Sequence, residues 1–246
     1  MAGHSHFANI QGRKGAQDKA KGKIFTKIIR ELNVAVKKGG GPDPDSNPRL
    51  RATLAKARGV NMSRDTIDRA IKKAMGEGSE NYEEITYEGY APEGVGVFVE
   101  CATDNNTRTV ANIRAYFNKA GGNVGKEGCL EFVFNRKGVF VLKSGGVNEE
   151  EFTLEAIDAG ADDVEFGEGM VRITCEMDQF GKMSKYLSDK KLETIELGLE
   201  RVPVTYKNIS EDTFQKLSKL LNSLEEDDDV QKVYHNAENF YDFKSS

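Results

Sequence analysis

Apolar positions between residues 17 and 38 recur with a helical period. At about 100° per residue, Ile24, Phe25, Ile28, Ile29, Leu32 and Val36 fall on one face. Lys19, Lys23, Lys27, Arg30 and Lys37 cluster within roughly 80° on the opposite face. The pattern predicts a helix over about 17–37, halted by Gly39–Gly40–Gly41–Pro42. Asn47 followed by Pro48 reads as N-cap and first turn of a second helix, with Leu50, Leu54 and Ala57 inward. Ser63 caps a third, with Ile67, Ala70, Ile71 and Ala74 as its stripe and Gly76 as its stop. Each helix is marginal alone in water, so the pattern predicts a packed three-helix domain. Ahead of it, residues 1–15 hold no sustained period and read as a flexible arm.

Past the EGSEN linker at 77–81 the period changes to short apolar runs bounded by Gly, Asn and Asp. Strands are expected at Ile85–Tyr90, Val95–Cys101 and Cys129–Phe134, with a helix over Asn106–Lys119. Gly138–Leu142, Glu149–Ala159, Asp163–Phe166, Met170–Cys175, Gln179–Ser188 and Thr194–Arg201 then run strand, helix, strand, strand, helix, strand. That order is the split βαββαβ unit of a ferredoxin-like domain. A strand at Val202–Tyr206, a helix over Glu211–Leu224 and a strand at Val230–Tyr234 follow, and with 95–134 they make a second such unit interrupted by the first. The fold class expected is therefore α+β: a three-helix domain, then two ferredoxin-like α/β domains, one inserted in the other. The boundaries are 1–78, 82–135 plus 202–246, and 136–201. A single six- or seven-stranded sheet is the alternative topology.

The charge changes this picture most. The net charge of -5 conceals a division: residues 1–78 carry seventeen Lys and Arg against seven Asp and Glu, a net of +10, and the remainder carries -15. A basic module joined to an acidic body points to a polyanion partner, nucleic acid first. The competing account is a solvated, lysine-rich helix face. The acidic run Glu225–Asp229 closes the last helix, where negative charge opposes the helix dipole, and so is expected in a solvated loop; a contact with a basic partner is the alternative. Hydrophobic content of 38%, with 13 Phe and 8 Tyr, suffices for packed cores and argues against wholesale disorder. With no apolar run of spanning length and no signal-peptide pattern, a soluble, cytoplasmic chain without membrane contact is expected. Three dispersed cysteines, Cys101, Cys129 and Cys175, read as buried thiols.

Catalytic signatures are missing: no GxxxxGK[ST], HExxH, GxSxG or paired CxxC occurs. His4 and His6 lack a third metal ligand, so neither metal nor cofactor is expected and the chain is read as a binding protein. Its candidate nucleic-acid-binding residues are Arg13, Lys14, Lys19, Lys23, Lys27, Arg30, Arg49, Arg51, Lys56, Arg58, Arg64, Arg69, Lys72 and Lys73. Cations in this number neutralise phosphates and release counterions, while guanidinium groups such as Arg51, Arg58, Arg64 and Arg69 also suit guanine edges. The acidic domains would repel the same polyanion and so either hold away from it or take a protein partner. No long heptad seam appears, so a monomer is expected.

MAGHS at the start, GKIFTKIIREL (22–32), NPRLRATLAKAR (47–58), NMSRDTIDRAIKK (61–73), YEGYAPEGVGVFVEC (87–101) and TDNNTRTVANIR (103–114) resemble the YebC/PmpR family of transcriptional regulators. His6–Phe7 stand where the family usually has Lys-Trp, Gln11–Gly12 where it is more basic, and Ser63 where it has Pro. The resemblance implies three domains and a DNA-binding regulator. Its mitochondrial and ribosome-linked relatives imply the alternative, an RNA- or ribosome-associated translation factor.

Overall fold

The computed structural model describes residues 17–76, 81–192 and 194–240. The arm and most of the linker lie outside these residues. Two compact units divide the described chain: one within 134–204, and one formed by the described residues of the flanking segments, 17–133 and 205–240.

The flanking unit begins with three helices, α1 (Gln17–Lys38), α2 (Pro48–Gly59) and α3 (Arg64–Met75). Ile28, Leu32, Ala35 and Val36 of α1 pack with Leu50, Leu54 and Ala57 of α2, with Met62, and with Ile67 and Ala74 of α3. Burying each large side chain contributes about 1.5–3 kcal/mol, which short helices of marginal intrinsic stability require. Ile24 stands outside this core at 38% exposure. Asn47 welds the first two helices: its carboxamide accepts from Leu50 N–H at 2.9 Å and donates to Ala35 O at 2.8 Å and Gly41 O at 2.7 Å. Gly39 makes room for that bridge, since a Cβ there would lie 2.4 Å from Ala35 O and 2.5 Å from Asn47 Oδ1. Ser63 caps α3 by accepting from Thr66 N–H.

The same unit continues with β1 (Glu83–Ala91), β2 (Val95–Thr103), α4 (Asn106–Lys119) and β3 (Asn123–Val124). The strands at Ile85–Tyr90 and Val95–Cys101 are present as expected, and longer. The one expected at Cys129–Phe134 is not: Cys129, Glu131 and Val133 donate to Lys126 O, Gly128 O and Leu130 O, which folds the segment into consecutive turns. The buried Glu88 carboxylate holds it there, accepting from Gly128 N–H at 2.9 Å and Leu130 N–H at 2.6 Å.

The inserted unit is built from β4 (Phe134–Lys143), α5 (Glu149–Asp158), β5 (Ala161–Gly167), β6 (Met170–Cys175), α6 (Phe180–Asp189) and β7 (Thr194–Pro203). Its antiparallel sheet has the order β5-β6-β4-β7, the spatial order of a ferredoxin-like unit. Glu168 and Gly169, both at positive φ, form the two-residue turn of the β5–β6 hairpin. Phe140, Leu142, Val171 and Ile173 of the sheet meet Phe152 and Ala156 of α5 and Met183 and Leu187 of α6.

The flanking unit then closes with α7 (Glu211–Glu226) and β8 (Val230–His235). Its sheet order is β3-β1-β2-β8, again antiparallel. The expected strand at Val202–Tyr206 does not form here: Val202 and Pro203 end β7, and beyond them only Lys207 bridges, to Ala237. Its place beside β2 is taken by β1, so a hairpin supplies the central pair. Val95, Val97, Val99 and Cys101 of β2 face Ile113 and Phe117 of α4 and Phe214, Leu217, Leu221 and Leu224 of α7. Gly89 lets α4 approach, because a Cβ there would be 2.6 Å from the Phe117 ring. All three cysteines are free, and burial pushes the Cys101 thiol up to about 12 and Cys175 to about 11. No helix among the described residues is long and apolar enough to cross a membrane.

Candidate nucleic-acid interface

The cation row of α1 does not form an open face. α1 lies against β2 and β8, and its charged side closes on the last turn of α7 and the residues that follow it. Lys23 Nζ donates to Glu226 O at 3.1 Å and Lys27 Nζ to Glu225 O at 2.8 Å. Arg30 Nη1 donates to Asp228 O at 2.8 Å, to Ala102 O at 3.2 Å and to the Asp229 carboxylate, with its guanidinium 5.1 Å from the Tyr82 ring centre. The carbonyls that end a helix have no intrahelical partner and carry the negative end of its dipole. Cations from α1 satisfy them. The run Glu225–Asp229 is therefore not simply a solvated loop; its positive partner is in the same chain.

Asp229 is the centre of this seam. It is 2% exposed, and besides Arg30 it accepts from Arg108 Nη2 at 2.8 Å, Arg108 Nε at 3.1 Å, Thr109 Oγ1 at 2.8 Å and Thr103 Oγ1 at 3.3 Å. Burial favours its neutral form, but Arg108, Arg30 and Thr109 outweigh burial and hold the carboxyl below its usual range. Burial likewise pushes the Lys27 ammonium down, opposed by Glu225, Asp228 and Asp227. Arg108 was not among the candidate cations, and no local pattern singles out Asp229 from four neighbouring acids.

Further along the seam, Arg49 of α2 grips the Glu84 carboxylate with both terminal nitrogens, one at 3.0 Å, which raises its pKa. Lys37 donates to Asn81 Oδ1 at 2.6 Å. Lys23, Lys27 and Arg30 thus bind protein instead of standing free, a correction to the expected open row, and Arg49, a candidate on the second helix, is held as well.

The remaining cations face outward on α2 and α3. Lys56 pairs with Glu31 of α1 at 2.7 Å, and Arg51 donates to Pro44 O and Asp45 O in the turn before its own helix. Arg69 pairs with Asp65 at 2.6 Å, and Arg64 approaches Asp68 at 3.9 Å, both along α3. Exposed pairs at this spacing are worth only about 0.3–0.5 kcal/mol, so a phosphate can displace them. Arg58 and Lys72 are exposed and have no side-chain partner among the described residues; Lys73 is exposed beside Lys72. Arg13 and Lys14 lie outside the described residues, as does the Lys19 side chain. The segment of α2 contains Arg49, Arg51, Lys56 and Arg58 and no carboxylate, but its first three cations are engaged by Glu84, the 44–45 turn and Glu31, so Arg58 is the one left unengaged among the described residues.

Residues 5–77 match the sequence profile of the TACO1/YebC protein N-terminal domain, and residues 82–237 that of the TACO1/YebC second and third domain. A probable transcriptional regulatory protein of Clostridium botulinum (strain Okra / Type B1) is 50% identical over 240 residues, 97% of each chain. The probable transcriptional regulatory protein IL1088 of Idiomarina loihiensis is 47% identical over 240 residues, 97% of this chain and 96% of its own. The crystal structure of the conserved hypothetical protein Aq1575 from Aquifex aeolicus superposes with a TM-score of 0.82 at 43% identity, covering 90% of this chain and 91% of that one.

Proposed function

We propose a function from one established premise, that the chain belongs to the TACO1/YebC family. It is a nucleic-acid-binding regulatory protein, and it binds DNA in transcription regulation through the outward cations of α2 and α3. The observation that carries this reading is the exposure of Arg58 on α2 and of Arg64, Arg69 and Lys72 on α3. All four are exposed, and among the described residues none is held by another element of the fold. The names of the relatives, probable transcriptional regulatory proteins, support the regulatory role. The acidic remainder of the chain repels a polyanion and so confines binding to these helices.

Fluorescence anisotropy of the full chain with a labelled 20-bp DNA duplex, and with an RNA hairpin, tests it between 50 and 200 mM salt. Four phosphate contacts give a slope of log K against log salt of about -3.6, or an affinity loss on the order of a hundredfold across that range. Contacts beyond these four steepen it. Failure to bind either polymer at low salt would overturn the proposal. Preference for the hairpin would move the target from DNA to RNA, towards the translation reading.

A further inference from the structure

Lys23, Lys27 and Arg30 sit at i, i+4 and i+7 on α1, the spacing that aligns cations along one helix face. Their acceptors are the carbonyl oxygens of Glu225, Glu226 and Asp228 and the Asp229 carboxylate, a cluster of partial and full negative charge. Such a cluster offers a cation row what a phosphate backbone offers it. The grip weakens along the row. Arg30 is the best anchored, with its side chain 13% exposed, whereas Lys23 is exposed and makes one contact, at 3.1 Å, among the described residues.

We infer that the Glu225–Asp229 segment is an internal stand-in for nucleic-acid phosphate, which keeps the α1 cation row latched until nucleic acid displaces it. The inference rests on the nucleic-acid-binding reading above and adds a regulatory step to it. Phosphates held first by α2 and α3 bring a polyanion to the molecule. Lys23 and then Lys27 exchange carbonyl oxygen for phosphate oxygen, and the 225–229 segment is left without its cations. Non-specific anions at low local concentration do not achieve this, because each would have to replace several acceptors at once.

Amide hydrogen exchange on the full chain reads the latch directly. In the closed form Asp227 N–H donates to Leu224 O, Asp229 N–H to Asp227 Oδ1, Val230 N–H to Asp227 O and Ala102 N–H to Asp229 O. Saturating DNA duplex or RNA hairpin should speed exchange at these amides at least several-fold, while amides in β4 to β7 keep their rates. A variant tests the same idea by affinity, without touching a hydrogen-bonding side chain of the seam. Glu225→Gln with Asp228→Asn removes attraction for Lys27 but none of the carbonyl contacts. It should bind nucleic acid three- to tenfold more tightly than a control with the same charge change on α5, Glu149→Gln with Glu150→Gln. Binding with unchanged exchange at 102 and 227–230, or equal affinity for the two variants, would overturn the latch alone. An absence of binding by the parent chain would overturn the latch together with the reading it rests on.

Discussion

A carboxylate taken out of water costs several kcal/mol unless its partners return that energy. Asp229, with two guanidinium groups and two hydroxyls around it, meets the condition. Asp229→Asn leaves Arg30 and Arg108 facing an amide, and should destabilise the protein by about 2–4 kcal/mol at pH 7 by urea unfolding. The pH dependence has a definite sign. The folded carboxyl titrates below its unfolded value of about 3.9, so its stabilisation is fully present above that pH and is lost as pH falls beneath about 4. The parent should therefore lose stability faster than Asp229→Asn between roughly pH 4 and pH 2. Glu88 is a second buried carboxylate, accepting from two backbone N–H groups. Glu88→Ala strands two donors and should cost about 2–4 kcal/mol, with faster exchange at Gly128 and Leu130. Neither acid was legible as special, since a run of acids and an alternating strand look the same whether or not one member turns inward.

Caps and glycines made the helical elements readable. Asn47–Pro48, Ser63 and the Gly39–Gly41 stop mark helix ends by chemistry confined to a few residues, and α1, α2 and α3 follow those marks closely. What the cap motif does not reveal is the second task of Asn47, tying Ala35 O and Gly41 O to α2. Asn47→Ala should thus cost more than the roughly 1 kcal/mol of an ordinary cap, about 2–3 kcal/mol in urea unfolding, because two carbonyls lose their donor too. The inserted unit was legible because its six elements alternate in unbroken order. The outer sheet was harder. Val202–Tyr206 has the composition of a strand, yet β-propensity says nothing about which neighbour a strand finds. β1, already hairpinned to β2 through Pro92–Gly94, fills the central place first. In the same way Cys129–Phe134 reads as a strand until the Glu88 carboxylate, some forty residues earlier, draws its N–H groups into turns.

For the whole molecule, the division of charge was plain in the sequence and its disposition was not. A helical wheel places Lys23, Lys27 and Arg30 opposite the core of their own helix bundle, but it cannot see the β2–β8 edge and the end of α7 lying there. The 225–229 segment of the same unit meets those cations, Glu84 of β1 meets Arg49, and positive charge expected to meet nucleic acid is partly engaged within the chain. What remains outward is the side of α2 and α3 that bears Arg58, Arg64, Arg69 and Lys72. The most direct test is the salt dependence of nucleic-acid binding by a chain carrying Arg58→Gln, Arg64→Gln, Arg69→Gln and Lys72→Gln, measured beside the parent. Removing four phosphate contacts should flatten the slope of log K against log salt by about 3.6 and weaken binding at low salt by more than tenfold, with thermal unfolding little changed. A slope and affinity equal to the parent's would contradict the account.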